Sequence, residues 1–275
     1  MPELPEVENT RRYLEEIGLP GRTFSSVSIG WARSVREPAL EDFVLGIPNR
    51  RILEIRRRGK YLVLPLTEND FEPAADLILH LGMTGGLRVH PRSQPAPPMV
   101  RHTFSLEDGR ELRFIDPRKF GHLWLVPDWE DALPTFGPEP LDDSFTSQAL
   151  AKILNARHAP IKALLLEQSV VAGLGNLYAD EALFLAGIHP IRPADSLSGD
   201  QVSKLRDGIV AALTTALHHY DQSRVEGWPD PPFGLSTWTI PRRADEPCPR
   251  CGASMVGIRV RARSTFFCPD CQPRE

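Results

Sequence analysis

Near its end the chain reads CPRCGASMVGIRVRARSTFFCPDC (248–271), and all four cysteines fall in this segment. The spacing is C-x2-C-x16-C-x2-C. Each C-x2-C pair sets two thiolates on one tight turn, and two such turns make a tetrahedral site for Zn2+. Cys248, Cys251, Cys268 and Cys271 would fill all four positions, so one structural zinc is expected. Two disulfides are the alternative, but nothing in the sequence suggests the secreted setting they need. The intervening GIRVRARSTFF (257–267) reads as a hairpin. Arg259, Arg261 and Arg263 alternate, so a single strand would carry them on one face. A basic face on a zinc-held hairpin suits phosphate contact, with binding to a protein as the other reading.

Upstream of the cysteines the apolar pattern is helical. In 198–220, Val202, Leu205, Ile209, Ala212, Leu213, Ala216 and Leu217 form one stripe, and Ser198 is placed to cap it. Residues 161–187 give two further apolar helical segments, broken at Gly173-Leu174-Gly175. Residues 223–241 read as loop. Further back, the acidic, proline-rich stretch 127–143 reads as a linker. From about 22 to 126 the pattern changes to short runs, among them FSSVSI (24–29), YLVLPL (61–66), DLILHL (76–81), RHTFSL (101–106), ELRFI (111–115) and HLWLV (122–126). Asp108-Gly109 is a hairpin signal between two of them. Regular short strands predict a β-sandwich or barrel. Residues 3–18 read as a leading helix, with Val7, Leu14 and Ile17 on one face and Gly18 at its end.

The fold class expected is α+β and multidomain. It comprises an N-terminal β-sandwich with a leading helix (1–130), a linker (131–142), a helical domain (143–240) and a zinc-finger hairpin (241–275). At 275 residues, with 41% hydrophobic and 25% charged residues, the composition excludes a disordered or fibrous chain. No apolar run reaches the ~18–20 residues of a membrane span, and MPELPEVENTRR lacks the apolar core of a secretory signal. A cytoplasmic, nucleoid-associated protein is expected.

Proline stands at 27 residues, roughly twice the usual ~5%. Net charge is −4, which weighs against a nucleic-acid partner. The charge is unevenly spread, however. Residues 61–87 carry four acids and 121–151 carry six, with no Lys or Arg in either stretch; the rest of the chain is net basic. Arg50, Arg51, Arg56, Arg57, Arg58 and Lys60 lie within eleven residues. A solvated face is the alternative reading of such a run.

Pro2 follows the initiator Met. Removal of Met1 would expose a secondary amine able to attack an aldehydic carbon and form an iminium, a strong electron sink. Glu3 and Glu6 stand beside it, and a carboxyl there can move protons. Viewed alone, the same residues also suit the first turn of a helix.

Seven motifs in fixed order give this terminus its meaning: PELPEVE (2–8), RRRGKYL (56–62), HLGMTG (80–85), DPRKFG (116–121), GLGNLYADE (173–181), AGIHP (186–190) and the cysteine segment. The set resembles the formamidopyrimidine-DNA glycosylase and endonuclease VIII family of bifunctional DNA glycosylase/AP lyases, and its PELPE opening is similar to the formamidopyrimidine branch. The resemblance implies a β-sandwich, a helix-two-turn-helix domain and a zinc finger, with damaged double-stranded DNA bound between domains by a monomer. It implies Pro2 as the nucleophile at C1′, Glu3 as the acid that assists sugar-ring opening and proton transfer, and Glu6 in support. The iminium then drives β- and δ-elimination. It further implies Lys60, Asn176 and Arg263 as phosphate ligands. At Asn176 the glycines allow close backbone approach, and the following helix N-terminus favours an anion. Met83, Arg118 and Phe120 match residues inserted where the lesion leaves the stack. Core packing is the alternative for Met83 and Phe120.

One stretch departs from the family pattern. HHYDQSRVEGWPDPPFGLSTW (218–238) lacks the Gly-Gly-Thr/Ser-type segment usual in the formamidopyrimidine branch. Base preference therefore stays open between 8-oxoguanine, formamidopyrimidines, oxidised pyrimidines and abasic sites. Asn9 and Lys119 are smaller departures. A non-catalytic damaged-DNA-binding protein is the rival class, opposed by intact Pro2, Glu3 and Lys60. A zinc-ribbon transcription or assembly factor would explain only the last 35 residues.

Overall fold

The computed structural model describes residues 1–68, 72–223 and 239–274. They fall into two compact units. The first takes Met1–Pro2, 6–134 and Ser223; the second takes Glu3–Pro5, 135–222 and 239–274.

The leading helix α1 spans Leu4–Glu16. Gly18 beyond it adopts φ +68, where glycine carries no Cβ penalty. In the first unit, β1 (Phe24–Ile29), β2 (Val35–Glu37), α2 (Leu40–Gly46), β3 (Arg51–Ile52), β4 (Arg56–Arg58), β5 (Tyr61–Thr67), β6 (Ala75–His80), β7 (Gly86–Pro91), β8 (Val100–Leu106), β9 (Arg110–Ile115) and β10 (His122–Val126) follow. They form two sheets, ordered β1-β8-β9-β7 and β2-β10-β6-β5-β3, with β4 also pairing β5. Aromatic and aliphatic side chains from both sheets meet in one core, where the Phe24 and Phe104 rings lie tilted at 47° with centroids 5.6 Å apart beside Phe114, Leu64, Leu79 and Leu123. The hairpin expected at Asp108-Gly109 joins β8 to β9, with Gly109 at φ +84.

Much of the acidic stretch 61–87 is strand, as its apolar runs predict. Asp76 in β6 is buried and accepts the Trp129 amide at 3.0 Å, so one of its acids joins this strand to the second acidic stretch. There, α3 (Trp129–Ala132) forms a single turn capped by Asp128. The cationic run 50–60 is also partly matched by acids. Arg50 pairs with Glu68, Arg56 with Glu54, and Arg57 with Glu8. Burial pushes the Glu8 carboxyl up, but Arg11 and Arg57 more than reverse this and hold it below its ordinary range.

The second unit carries α4 (Ser147–Leu154), α5 (Ile161–Leu165), α6 (Asn176–Ala186), α7 (Gly199–Ser223), β11 (Val256–Val260) and β12 (Arg263–Phe267). Thr146 caps α4 by accepting the Ala149 amide. Ser198 and Gln201 cap α7 reciprocally, each side chain bonding the other's backbone amide. The α7 stripe faces Leu150, Leu164, Tyr178 and Leu183 in a single core. Helix α6 is buried nearly all round and ends at Gly187 in the left-handed region, where Ile188 N donates to Leu183 O. No helix among the described residues is long and apolar enough to cross a membrane.

Candidate active site and metal centre

Pro2 is buried. Glu3, the next residue, is 1% exposed, and its carboxylate sits on the first turn of α6: Oε1 accepts Leu177 N at 2.9 Å and Oε2 accepts Tyr178 N at 3.3 Å. The anion expected at this helix N-terminus is thus already supplied from within the chain. Gly175 makes the approach possible, because a Cβ there would lie 2.3 Å from Glu3 Cδ. Gly173 does the same for Leu4, whose amide donates to Gly173 O. The two glycines admit the N-terminal segment of the chain, a partner that the sequence did not reveal.

Asn176 donates through Nδ2 to Ser264 O at 3.0 Å, next to Arg263 on the zinc-finger hairpin. Its Oδ1 is buried and without a hydrogen-bond partner among the described residues. Lys162, fully buried, donates to Thr265 Oγ1 at 2.6 Å and Ser264 O at 3.2 Å. Its Nζ also lies 2.6 Å from Asp180 Oδ1, an ionic contact off the hydrogen-bonding angle. Arg242 reaches Asp180 Oδ2 at 2.9 Å. Burial works against both charges, pushing Asp180 up and Lys162 down, while their mutual attraction opposes it. This network fixes β12 to α5 and α6.

The hairpin corrects the reading of its arginines. Strand β11 stops at Val260, and Arg261 and Ala262 form the turn with φ +44 and +61. Arg259 pairs with Ser264 and Val260 with Arg263, so Arg259 and Arg263 project from opposite faces. Arg261 leaves the strand and pairs with Glu167. A two-residue turn with both φ positive normally advertises itself with Asn or Gly, and Arg-Ala does not.

The four cysteines come together with their sulfurs all within 4.8 Å of one another. Cys248 and Cys271 are 3.9 Å apart, and Cys251 and Cys268 are 3.5 Å apart. A tetrahedral thiolate site with Zn–S near 2.3 Å needs about 3.8 Å between sulfurs. Arg250 N donates to Cys248 Sγ and Cys271 N to Cys268 Sγ, each at 3.4 Å, a pattern that suits thiolates. The set fits one structural zinc held by these four residues, which would supply the cross-link that orders the hairpin.

In the first unit, Lys60 is buried in the turn between β4 and β5, where Gly59 has φ +55. His80 stands at the end of β6, with its ring 4.7 Å from Tyr61 and 6.4 Å from His122, stacked at 18° on the latter. Burial first, then the nearby His122 and Lys60, hold His80 down to about 4, so its imidazole is neutral at pH 7. Glu6 is buried on α1. Met83 and Phe120 are 39% and 45% exposed, which does not match the alternative of core packing. Arg118 is exposed, with its guanidinium 4.9 Å above the Phe120 ring. Two groups here escaped the sequence reading: His80, which opens HLGMTG, and Asp116, which opens DPRKFG. Their only signal was membership of those motifs.

Three family models match in chain order: the formamidopyrimidine-DNA glycosylase N-terminal domain over residues 1–123, the formamidopyrimidine-DNA glycosylase H2TH domain over 136–226, and the zinc finger found in FPG and IleRS over 245–274. The formamidopyrimidine-DNA glycosylase of Herpetosiphon aurantiacus is 41% identical over 284 residues, spanning 99% of this chain and 100% of its own. That of a Synechococcus strain is 40% identical over 294 residues, spanning 99% of each. Among solved structures, the MutM (FPG) protein of Thermus thermophilus superposes with a TM-score of 0.83 at 38% identity, covering 100% of both chains. Lactococcus lactis Fpg, crystallised with Fapy-dG-containing DNA, gives 0.85 at 33% identity, covering 98% of this chain and 100% of that one. The chain belongs to the formamidopyrimidine-DNA glycosylase family. It is a DNA glycosylase with abasic-site lyase activity, acting in base-excision repair.

Proposed function

We propose that this enzyme excises ring-opened formamidopyrimidines from duplex DNA with the Pro2 amine as nucleophile, once Met1 is removed. The Pro2 nitrogen attacks C1′ and the N-glycosidic bond breaks, its electron pair leaving with the base, which takes up a proton. Ring opening gives the iminium. Loss of a C2′ proton expels the 3′ phosphate, and the second elimination expels the 5′ phosphate, leaving a single-nucleotide gap. Water then hydrolyses the iminium and restores the amine. Glu3 moves the protons. The observation that carries the reading is the clamped Glu3 carboxylate directly following a buried proline. Two amides fix it in place, and a carboxyl so held can take up and return a proton.

Lys60, Asn176 and Arg263 grip the phosphates, Glu6 supports the terminus, and Met83, Arg118 and Phe120 fill the space left by the extruded nucleotide. The substrate assignment is supported by the Fapy-dG and abasic-site DNA bound to the Lactococcus lactis relative. A relative bound to DNA with carbocyclic 8-oxo-G keeps that lesion in the substrate set. Most of the atypical stretch 218–238 lies outside the described residues. The functional division runs 1–130, 131–142, 143–240 and 241–275, and the enzyme works as a monomer in the cytoplasm, on the nucleoid.

Borohydride reduction tests the reading. Wild type captures an abasic or formamidopyrimidine strand covalently, whereas Pro2→Gly and a form retaining Met1 do not. Capture by the Met1-bearing form would refute the nucleophile.

A further inference from the structure

Asp116 follows β9 and is 2% exposed, and its carboxylate takes donors from two separate loops. Oδ1 accepts Thr84 Oγ1 at 2.8 Å and Arg118 N at 3.2 Å, while Oδ2 accepts Gly121 N at 2.8 Å. The first donor belongs to the loop that carries Met83, and the other two belong to the loop that carries Arg118 and Phe120. The backbones of these loops also touch. Gly82 has φ +65, and a Cβ on it would lie 2.4 Å from the Phe120 carbonyl. Around them the scaffold is fixed: Arg101 Nε donates to Asp116 O at 2.8 Å, Gly30 N donates to Arg101 O at 2.7 Å, and Lys119 Nζ lies 4.2 Å over the Trp31 ring.

We infer that Asp116 is a positioning residue, with Thr84 as its partner, that joins the Met83 loop and the Arg118–Phe120 loop into one wedge. The inference rests on the proposed entry of these three side chains into the duplex. An ionised carboxylate accepts only, and its two oxygens lie in one plane. The Arg118 and Gly121 amides lock the carboxylate to its own loop, and Thr84 Oγ1 then ties the other loop to that fixed group. A wedge has to displace a stacked base as one body, since a side chain that yields does not hold the base pair apart. The exposed apolar groups of both loops, Met83 and Phe120, would enter together because one buried carboxylate holds the Thr84 hydroxyl of one loop and the backbone amides of the other.

The test uses the full-length zinc-loaded enzyme in single-turnover excision of a formamidopyrimidine from a duplex, with 2-aminopurine beside the lesion reporting unstacking. Thr84→Val keeps the shape and removes the donor. Loss of one hydrogen bond to a carboxylate should lower unstacking and excision about 10-fold or more. Thr84→Ser, which restores the hydroxyl, should stay within about twofold of wild type. Phe120→Ala is the reference for the wedge itself. On that background Thr84→Val should cost little more, since it acts through the wedge. A purely structural role would instead add its full loss there and would overturn the inference. Wild-type behaviour of Thr84→Val, or failure of Thr84→Ser to restore it, would also overturn it. Wild-type behaviour of Phe120→Ala would remove the entry reading and this inference with it, so the two failures are distinguishable.

Discussion

Gly175→Ala gives the sharpest test of how the amino terminus is held. Gly175 has φ −136 and ψ −161, an extended conformation open to alanine, so the effect is steric. The new Cβ would lie 2.3 Å from Glu3 Cδ, 2.5 Å from Oε1 and 2.7 Å from Cγ. The carboxylate must move, losing the amides of Leu177 and Tyr178 and its place at the N-terminus of α6. Hydrogen bonds to a charged group are worth about 1.5–3 kcal/mol each, and an anion at a helix N-terminus about 0.3–1 kcal/mol. Some of this returns through water, so a loss of about 3 kcal/mol is expected. At about 2–4 °C per kcal/mol, Tm should fall by about 6–12 °C. Moving a proton-transfer group by an ångström should slow single-turnover excision by about 100-fold. Calorimetry and borohydride capture read the two effects. Gly199→Ala is the control, since a Cβ there meets nothing within 4 Å. Wild-type stability and rate in Gly175→Ala would refute the argument.

Other perturbations test separate parts of the structure. Lys162→Met leaves buried Asp180 with only the Arg242 guanidinium and the Phe266 amide among the described residues, and chemical denaturation should show a loss of about 3–5 kcal/mol, partly recovered by adding Asp180→Asn; an unchanged midpoint would count against the network. Burial holds His80 and His102 near 4 in the fold, below the ordinary 6.5, so the unfolded chain binds protons first as pH falls. Their stabilisation is complete above pH 6.5 and is lost towards pH 4, with a slope of about 1.4 kcal/mol per pH unit for each histidine. Urea unfolding at pH 7 and pH 5 measures it, and His80→Asn should flatten the slope. Arg263→Ala should weaken DNA binding and reduce the log–log salt slope by about one, with no change in lesion preference. Chelation of the zinc should release the 256–267 hairpin and lower DNA affinity more than it lowers the stability of the β-sandwich.

Local pattern alone was enough for much of this protein. Strand runs such as HLWLV and ELRFI, the α7 stripe from Val202 to Leu217, the Asp108-Gly109 turn and the cysteine spacing each state their conformation within about two dozen residues, because backbone period and ligand spacing act over that range. The order of short motifs carried the family. Long-range placement was not legible. Nothing near Glu3 says that its carboxylate will cap a helix 174 residues away, and nothing in GLGNLYADE says that its glycines make room for it. Asp116 carried no signal beyond its motif, and its Thr84 donor stands 32 residues away on another loop. Arg261 looked like a strand residue until the ladder ended one position earlier. In each case the deciding partner belongs to another segment, and the contact forms only when apolar packing brings the two together and burial makes an unpaired polar group costly. The sequence thus determined the elements and the chemistry they carry. The tertiary structure decided which groups face each other, because a buried carboxylate or amide is fixed by the partner that packing supplies.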